Sequence, residues 1–69
     1  MNELTLTLNG EPKRVTGAAT LADLLGQLGL DPRAVVVELN RNIVRRPQLA
    51  GTRLQDGDSV ELVHFVGGG

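Results

Sequence analysis

The chain has 69 residues, a formal net charge of -1 and no cysteine, which predicts one small domain and excludes a disulfide-stabilised fold. A single histidine without cysteine argues against a zinc site. The slight acidic excess and the presence of one aromatic residue, a phenylalanine, argue against nucleic acid as a partner, because such proteins need basic surfaces or stacking platforms.

The N-terminal residues predict a β-hairpin. Residues 4–8 alternate leucine with threonine, which is typical of a strand with its leucines on the core face. Asn9-Gly10 follows, and this pair favours a type I′ turn because both central positions need positive φ. Residues 11–15 form the return strand, and Pro12 predicts that it lies at an edge, since proline cannot donate to a ladder.

A helix is predicted to begin after Thr20. This threonine and Asp23 have the spacing of a capping box, and the carboxylate also suits the positive end of the helix dipole. Gly29 is placed to end the helix in the left-handed conformation, while Gly26 inside it costs about 1 kcal/mol relative to alanine. The apolar stripe recurs at helical spacing and consists of Leu21, Leu24, Leu25 and Leu28.

The rest of the chain predicts three more strands. They cover residues 34–39, 43–44 and 59–66, separated by turns at 40–42 and 56–58 and by an irregular connection at 45–52. The order β-β-α-β-β-β predicts an α+β fold, a mixed sheet of four to five strands with one helix packed across one face. We expect a folded domain over residues 1–66 and a flexible glycine tail over residues 67–69.

The two faces of the last strand differ in character. Val60, Leu62 and His64 share one face, whereas Glu61, Val63 and Phe65 share the other. Val60 and Leu62 are the better core candidates, which leaves Val63 and Phe65 as a partly exposed apolar patch beside the tail. Such a patch indicates partner docking, with core packing of Phe65 as the alternative if a bulge reverses the faces.

Two sets of polar residues have simpler interpretations. His64 has no neighbouring ligand or nucleophile in the sequence, so we expect a packed or solvent-facing imidazole with no catalytic or metal role. The second set consists of four arginines, Arg41, Arg45, Arg46 and Arg53. The first interpretation is a solvated rim, the second is electrostatic steering of an acidic protein partner, and the third is contact with RNA.

The composition also favours a cytoplasmic protein. A lack of cysteine suits a reducing compartment, and residues 1–8 lack the apolar stretch of a signal peptide. The longest apolar run, residues 34–37, is far shorter than the roughly 20 residues that span a bilayer. We therefore expect no association with a membrane.

Five segments carry a resemblance to a known family. They are Leu8-Asn9-Gly10-Glu11, Thr20-Leu21-Ala22-Asp23-Leu24-Leu25, Leu39-Asn40, Asp56-Gly57-Asp58 and Val63-His64-Phe65-Val66-Gly67-Gly68-Gly69. With the predicted element order, they resemble the β-grasp fold of ubiquitin-like proteins and, more narrowly, the ThiS family of sulfur carriers in thiamine biosynthesis. The last segment is the most specific, because it places three glycines directly after a strand.

The resemblance implies a protein cosubstrate rather than an enzyme. An E1-like adenylating enzyme, similar to ThiF, would bind the tail with ATP and magnesium and adenylate the Gly69 carboxylate. A persulfide, supplied ultimately by a cysteine desulfurase, would displace AMP and leave a thiocarboxylate, whose sulfur passes to thiazole synthase, similar to ThiG. This chain itself would bind no cofactor or metal.

The residue types suit that chemistry. The terminal carboxylate is anionic at neutral pH and can attack a phosphate held by another protein. Gly67 and Gly68 lack a Cβ, so they can pass through a narrow channel, and Val63, Phe65 and Val66 form the expected docking edge behind them. Alternative functions are a β-grasp carrier for another acceptor (molybdopterin, tRNA thiolation or cysteine synthesis), a ubiquitin-like modifier, and a structural module without tail chemistry.

Overall fold

The computed structural model describes residues 3–65, which form a five-stranded sheet with a helix on one face. The strands are β1 (Glu3–Leu8), β2 (Glu11–Thr16), β3 (Val35–Leu39), β4 (Asn42–Val44) and β5 (Ser59–His64), and the helix is α1 (Leu21–Leu28). Their order in the sheet is β2-β1-β5-β3-β4. β1 and β5 are parallel and the other neighbours antiparallel, so the predicted α+β class with a mixed sheet is confirmed. No helix among residues 3–65 is both long and apolar enough to cross a membrane.

The first hairpin forms as its sequence predicts. Asn9 and Gly10 have φ values of 50° and 85°, the positive pair that a type I′ turn requires. β2 lies at the edge of the sheet, and Pro12 sits opposite Thr7 within it. The missing N–H of the proline therefore costs no bond to a further strand.

The start of α1 is a complete capping box. The Thr20 hydroxyl accepts from the Asp23 N–H at 3.1 Å, and the Asp23 carboxylate accepts from the N–H groups of Ala19 and Thr20 at 2.9 and 3.1 Å. The hydrogen bonds that the carboxylate accepts from the Ala19 and Thr20 N–H groups lower the pKa of Asp23 below its ordinary value, and the bond from Ala19 has the largest effect. Gly29 ends the helix at φ 71°, in the left-handed conformation expected of a C-terminal glycine.

The core lies between α1 and one face of the sheet. Leu21, Leu24 and Leu25 of the helix are at most 1% exposed, so the predicted stripe is buried. They belong to a cluster in which every strand but β4 contributes a fully buried side chain; its other members are Leu6, Val15, Ala18, Val35, Val37, Leu49, Leu54 and Val60. Alternate residues of each strand therefore face away from the core.

Several element boundaries differ from the prediction. β1 begins at Glu3, β2 ends at Thr16 and β4 begins at Asn42, each one residue beyond the predicted range. Ala34 ends a 3-10 helix (Pro32–Ala34), so β3 begins one residue later than expected. The connection after β4, predicted to be irregular, contains a second 3-10 helix (Arg46–Gly51). Its Leu49 is buried in the core. β5 ends at His64, so Phe65 follows the strand, and Val66 and the predicted tail lie outside the described residues.

Candidate functional site

The start of β5 is held by a side-chain network around Asn40. The Asn40 amide oxygen accepts from the Ser59 N–H at 2.9 Å, and its NH₂ group donates to the Asp58 carboxylate at 3.1 Å. The second Asp58 oxygen accepts from the Gln55 N–H at 2.8 Å. Asn40 has φ 51°, a left-handed conformation that asparagine tolerates better than most residues. The network fixes the entry of β5 into the sheet.

The end of β5 is held from both sides. β1 pairs with it only as far as Val60, and beyond that point the Asn9 amide oxygen accepts the Leu62 N–H at 2.8 Å. On the other side the β3 ladder continues to His64, and the Phe65 N–H donates to the Ala34 carbonyl at 2.8 Å. The backbone is therefore anchored up to the residue before Val66.

The two faces of β5 are used as the alternation predicts. Val60 is fully buried and Leu62 packs against the core, whereas Val63 and Phe65 are 52% and 53% exposed. The alternative, that Phe65 packs in the core, is therefore wrong. Val63 and Phe65 are two of the three large hydrophobic side chains that are exposed among residues 3–65. Val66, Gly67, Gly68 and Gly69, the remaining predicted site residues, lie outside the described part of the chain.

The third exposed hydrophobic side chain, Ile43, lies on the same face of the sheet as Val63. Register places Val36 opposite Val63, and Glu38 opposite both Glu61 and Ile43. Residues paired across neighbouring strands point to the same side, and here that side is opposite α1. We call Val36, Glu38, Ile43, Glu61 and Val63 the outward patch. Of these five residues, only Val63 belongs to the docking edge predicted from the sequence, whose other members are Phe65 and Val66.

A groove of about 460 Å³ opens on the helix side of the sheet, beside the two 3-10 helices. Its lining includes Asp31, Arg33, Arg46 and Leu49. Asp31 accepts from the Arg33 guanidinium at 3.0 Å. This bond is the main cause that lowers the pKa of Asp31 and raises that of Arg33. Arg33 is therefore neutralised locally, and Arg46 is the groove's other cation.

The remaining candidate residues lie at the surface. His64 is exposed, as expected, and within residues 3–65 no three His, Asp or Glu side chains are grouped to hold a metal ion. Four predicted rim arginines are also exposed, and neither ion pair in this part of the chain includes them; they are Arg41, Arg45, Arg46 and Arg53. The exposure of these arginines fits the solvated-rim interpretation.

Comparison with protein families and curated proteins gives matches along nearly the whole chain. The model of the ThiS family matches residues 6–69. The sulfur carrier protein ThiS of Bacillus subtilis is 42% identical over 67 residues, which cover 93% of this chain and 98% of that protein. The match therefore extends over the predicted tail as well as the domain.

A solved structure and a longer protein extend the comparison. The crystal structure of ThiS from Geobacter metallireducens superimposes with a TM-score of 0.81 at 39% identity, covering 96% of this chain and all of that one. A thiazole synthase of Paramagnetospirillum magneticum is 42% identical over 66 residues. This chain spans only 20% of that protein's length.

Proposed function

This chain belongs to the ThiS family, and we propose that it is a sulfur carrier of thiamine biosynthesis whose Gly69 carboxylate becomes a thiocarboxylate. One observation carries the proposal: the match to a curated sulfur carrier over 98% of that protein's length. Two homologues of this size are named sulfur carrier proteins, which supports a protein cosubstrate rather than an enzyme. Partner enzymes supply the general base, the ATP and the magnesium ion.

The proposed chemistry begins with activation of a poor electrophile. The Gly69 carboxylate attacks the α-phosphate of ATP, forms an acyl-adenylate and releases pyrophosphate. The terminal sulfur of a partner's persulfide, derived from a cysteine desulfurase, attacks the acyl carbon and expels AMP. A second partner thiol then cleaves the sulfur–sulfur bond, which leaves the thiocarboxylate on the carrier and a disulfide on the partner.

The anchored strand supports this use of the tail. Because Phe65 is held to Ala34 by a backbone hydrogen bond, only the residues after Phe65 remain for a partner to position in its site. Ordering each residue costs about 1–2 kcal/mol, and contacts made by Val63, Phe65 and Val66 would offset that cost. Two of these, Val63 and Phe65, are more than half exposed and available to a partner.

The final acceptor in this proposal is a thiazole synthase. A fifth of one thiazole synthase is 42% identical to this chain, which supports a carrier and an acceptor enzyme that work together. The thiocarboxylate sulfur would attack an electrophilic carbon of the thiazole precursor to form a thioester, and attack of water on its acyl carbon would break the acyl C–S bond, release the carrier's carboxylate and leave the sulfur on the precursor as a thiol.

Intact-mass analysis tests the proposal directly. We expect protein isolated from cells that also express a ThiF-like enzyme and a cysteine desulfurase to contain a species heavier by one oxygen-to-sulfur exchange. Deletion of Gly69 should abolish it, whereas Gly51→Ala should not, because Gly51 has open space around it and lies in a 3-10 helix away from β5. If only the free acid is found under these conditions, the carrier proposal fails. Thiocarboxylate without rescue of a thiazole auxotroph would instead indicate another acceptor.

A further inference from the structure

The outward patch combines apolar side chains with two carboxylates that face each other. Ile43 and Val63 are 66% and 52% exposed, and Glu38 and Glu61 are directly opposed in the β3–β5 register. Like charges at directly opposed positions destabilise a sheet. The isolated chain therefore carries an unfavourable pair in the middle of an exposed apolar surface.

The other acidic residue on this face is compensated. Glu3 of β1 faces outward, since Leu4 and Leu6 alternate with it towards the core, and its carboxylate lies 3.9 Å from the Arg14 guanidinium. The second ion pair among residues 3–65 joins Asp31 to Arg33. Neither pair involves Glu38 or Glu61. Their charge is thus left without a cation in the described part of the chain.

We infer that the outward patch docks the adenylating partner, whose complementary surface places a lysine or arginine against Glu38 and Glu61 beside an apolar contact with Ile43 and Val63. This inference rests on the proposed function. The patch is continuous with the strand that leads to the tail, because Val63 belongs to β5 and precedes Gly67 by only four residues. A partner that takes up the tail therefore meets this surface at the same time.

Charge distinguishes this occupant from others. A second copy of the chain, stacked patch to patch, would bring four carboxylates together and be repelled. Phosphates of a nucleic acid or of an anionic membrane would be repelled in the same way. A basic side chain on a protein surface removes the repulsion between the two glutamates and adds two charge-assisted hydrogen bonds.

Steady-state adenylation measures the contribution of the pair. The probe is the purified ThiF-like enzyme of the same organism, assayed by ATP–pyrophosphate exchange with the carrier as the varied substrate. We expect Glu38→Lys/Glu61→Lys to raise the carrier's KM about tenfold or more, with kcat at saturating carrier nearly unchanged because the tail is intact. Glu38→Gln/Glu61→Gln should raise KM less and, by removing the repulsion, should unfold at a higher temperature than the parent.

Glu3→Gln is the matched control, since it removes a carboxylate from the same face at the β1–β2 end. The KM of Glu3→Gln should equal that of the parent chain. In a separate experiment, titration of the labelled parent carrier with the enzyme should shift the amide signals of Val36, Glu38 and Ile43. Parental KM in both double variants, or an equal loss in the control, overturns the inference. If ATP–pyrophosphate exchange is lost on deletion of Gly69 but unaffected by the patch variants, only the docking role of the outward patch is refuted. If the parent chain supports no exchange, the proposed function is refuted as well.

Discussion

Replacement of Asn9 by glycine is expected to loosen the strand that leads to the tail. The Leu62 N–H would lose its 2.8 Å acceptor, which costs about 1 kcal/mol for a half-buried donor that water can still reach. Glycine keeps the positive φ of 50° without strain but adds about 0.5–1 kcal/mol of unfolded-state entropy. The sum, about 1.5–2 kcal/mol, lowers the Tm of so small a domain by about 6–16 °C.

Asn9→Asp is the matched control for this experiment. Aspartate retains an oxygen acceptor and tolerates the left-handed conformation, so we expect a loss of about 0.5 kcal/mol or less. Thermal unfolding measures the stability, and amide hydrogen exchange at Leu62 measures the local effect. An equal loss of stability in both variants, or full protection of the Leu62 amide in Asn9→Gly, would refute the idea that the Asn9 side chain supplies the acceptor for β5 where its pairing with β1 has ended.

Three further changes test the helix and the core. Gly26→Ala should stabilise the protein by about 1 kcal/mol, because no atom lies within 4 Å of the added Cβ; a lower urea midpoint would contradict this. Leu24→Ala, at a fully buried position, should cost about 2–5 kcal/mol, and a change below 1 kcal/mol in urea unfolding would place Leu24 outside the core. The carboxylate of Asp23 has a lowered pKa in the folded state, so its stabilising contribution is present above the ordinary value of about 3.9 and is lost as the pH falls through the folded pKa. Asp23→Asn should therefore weaken the acid dependence of the urea midpoint below about pH 4, and an unchanged acid dependence would contradict this.

Local patterns predicted the elements whose stability depends on nearby residues. The Asn9-Gly10 turn and the capping box of Thr20 and Asp23 involve residues at most three positions apart, so a short sequence pattern is enough to predict them. The faces of β5 were also predictable, because alternation combined with the apolar character of Val60 and Leu62 leaves one arrangement with a buried side.

Features that depend on pairing between distant segments could not be predicted in this way. The opposition of Glu38 and Glu61 requires the β3–β5 register, which no short pattern specifies. Leu49 is buried by a 3-10 helix, but the proline and the glycine in this segment predict an irregular connection instead. The Gly67–Gly69 tail and Val66 were predicted from their sequence and a family resemblance, and their roles stay predictions.

The hydrogen bond from the Phe65 N–H to the Ala34 carbonyl sets a limit on distance. Under the proposed function, the chain from this anchor at Phe65 to the Gly69 carboxylate comprises five residues, and because a fully extended chain spans at most about 3.3–3.6 Å per residue, it reaches at most about 18 Å. A partner that activates Gly69 as we propose would therefore hold its reaction centre close to the end of the sheet. A shallow recess satisfies that limit, whereas a reaction centre at the bottom of a deep tunnel would require β5 to detach from β3.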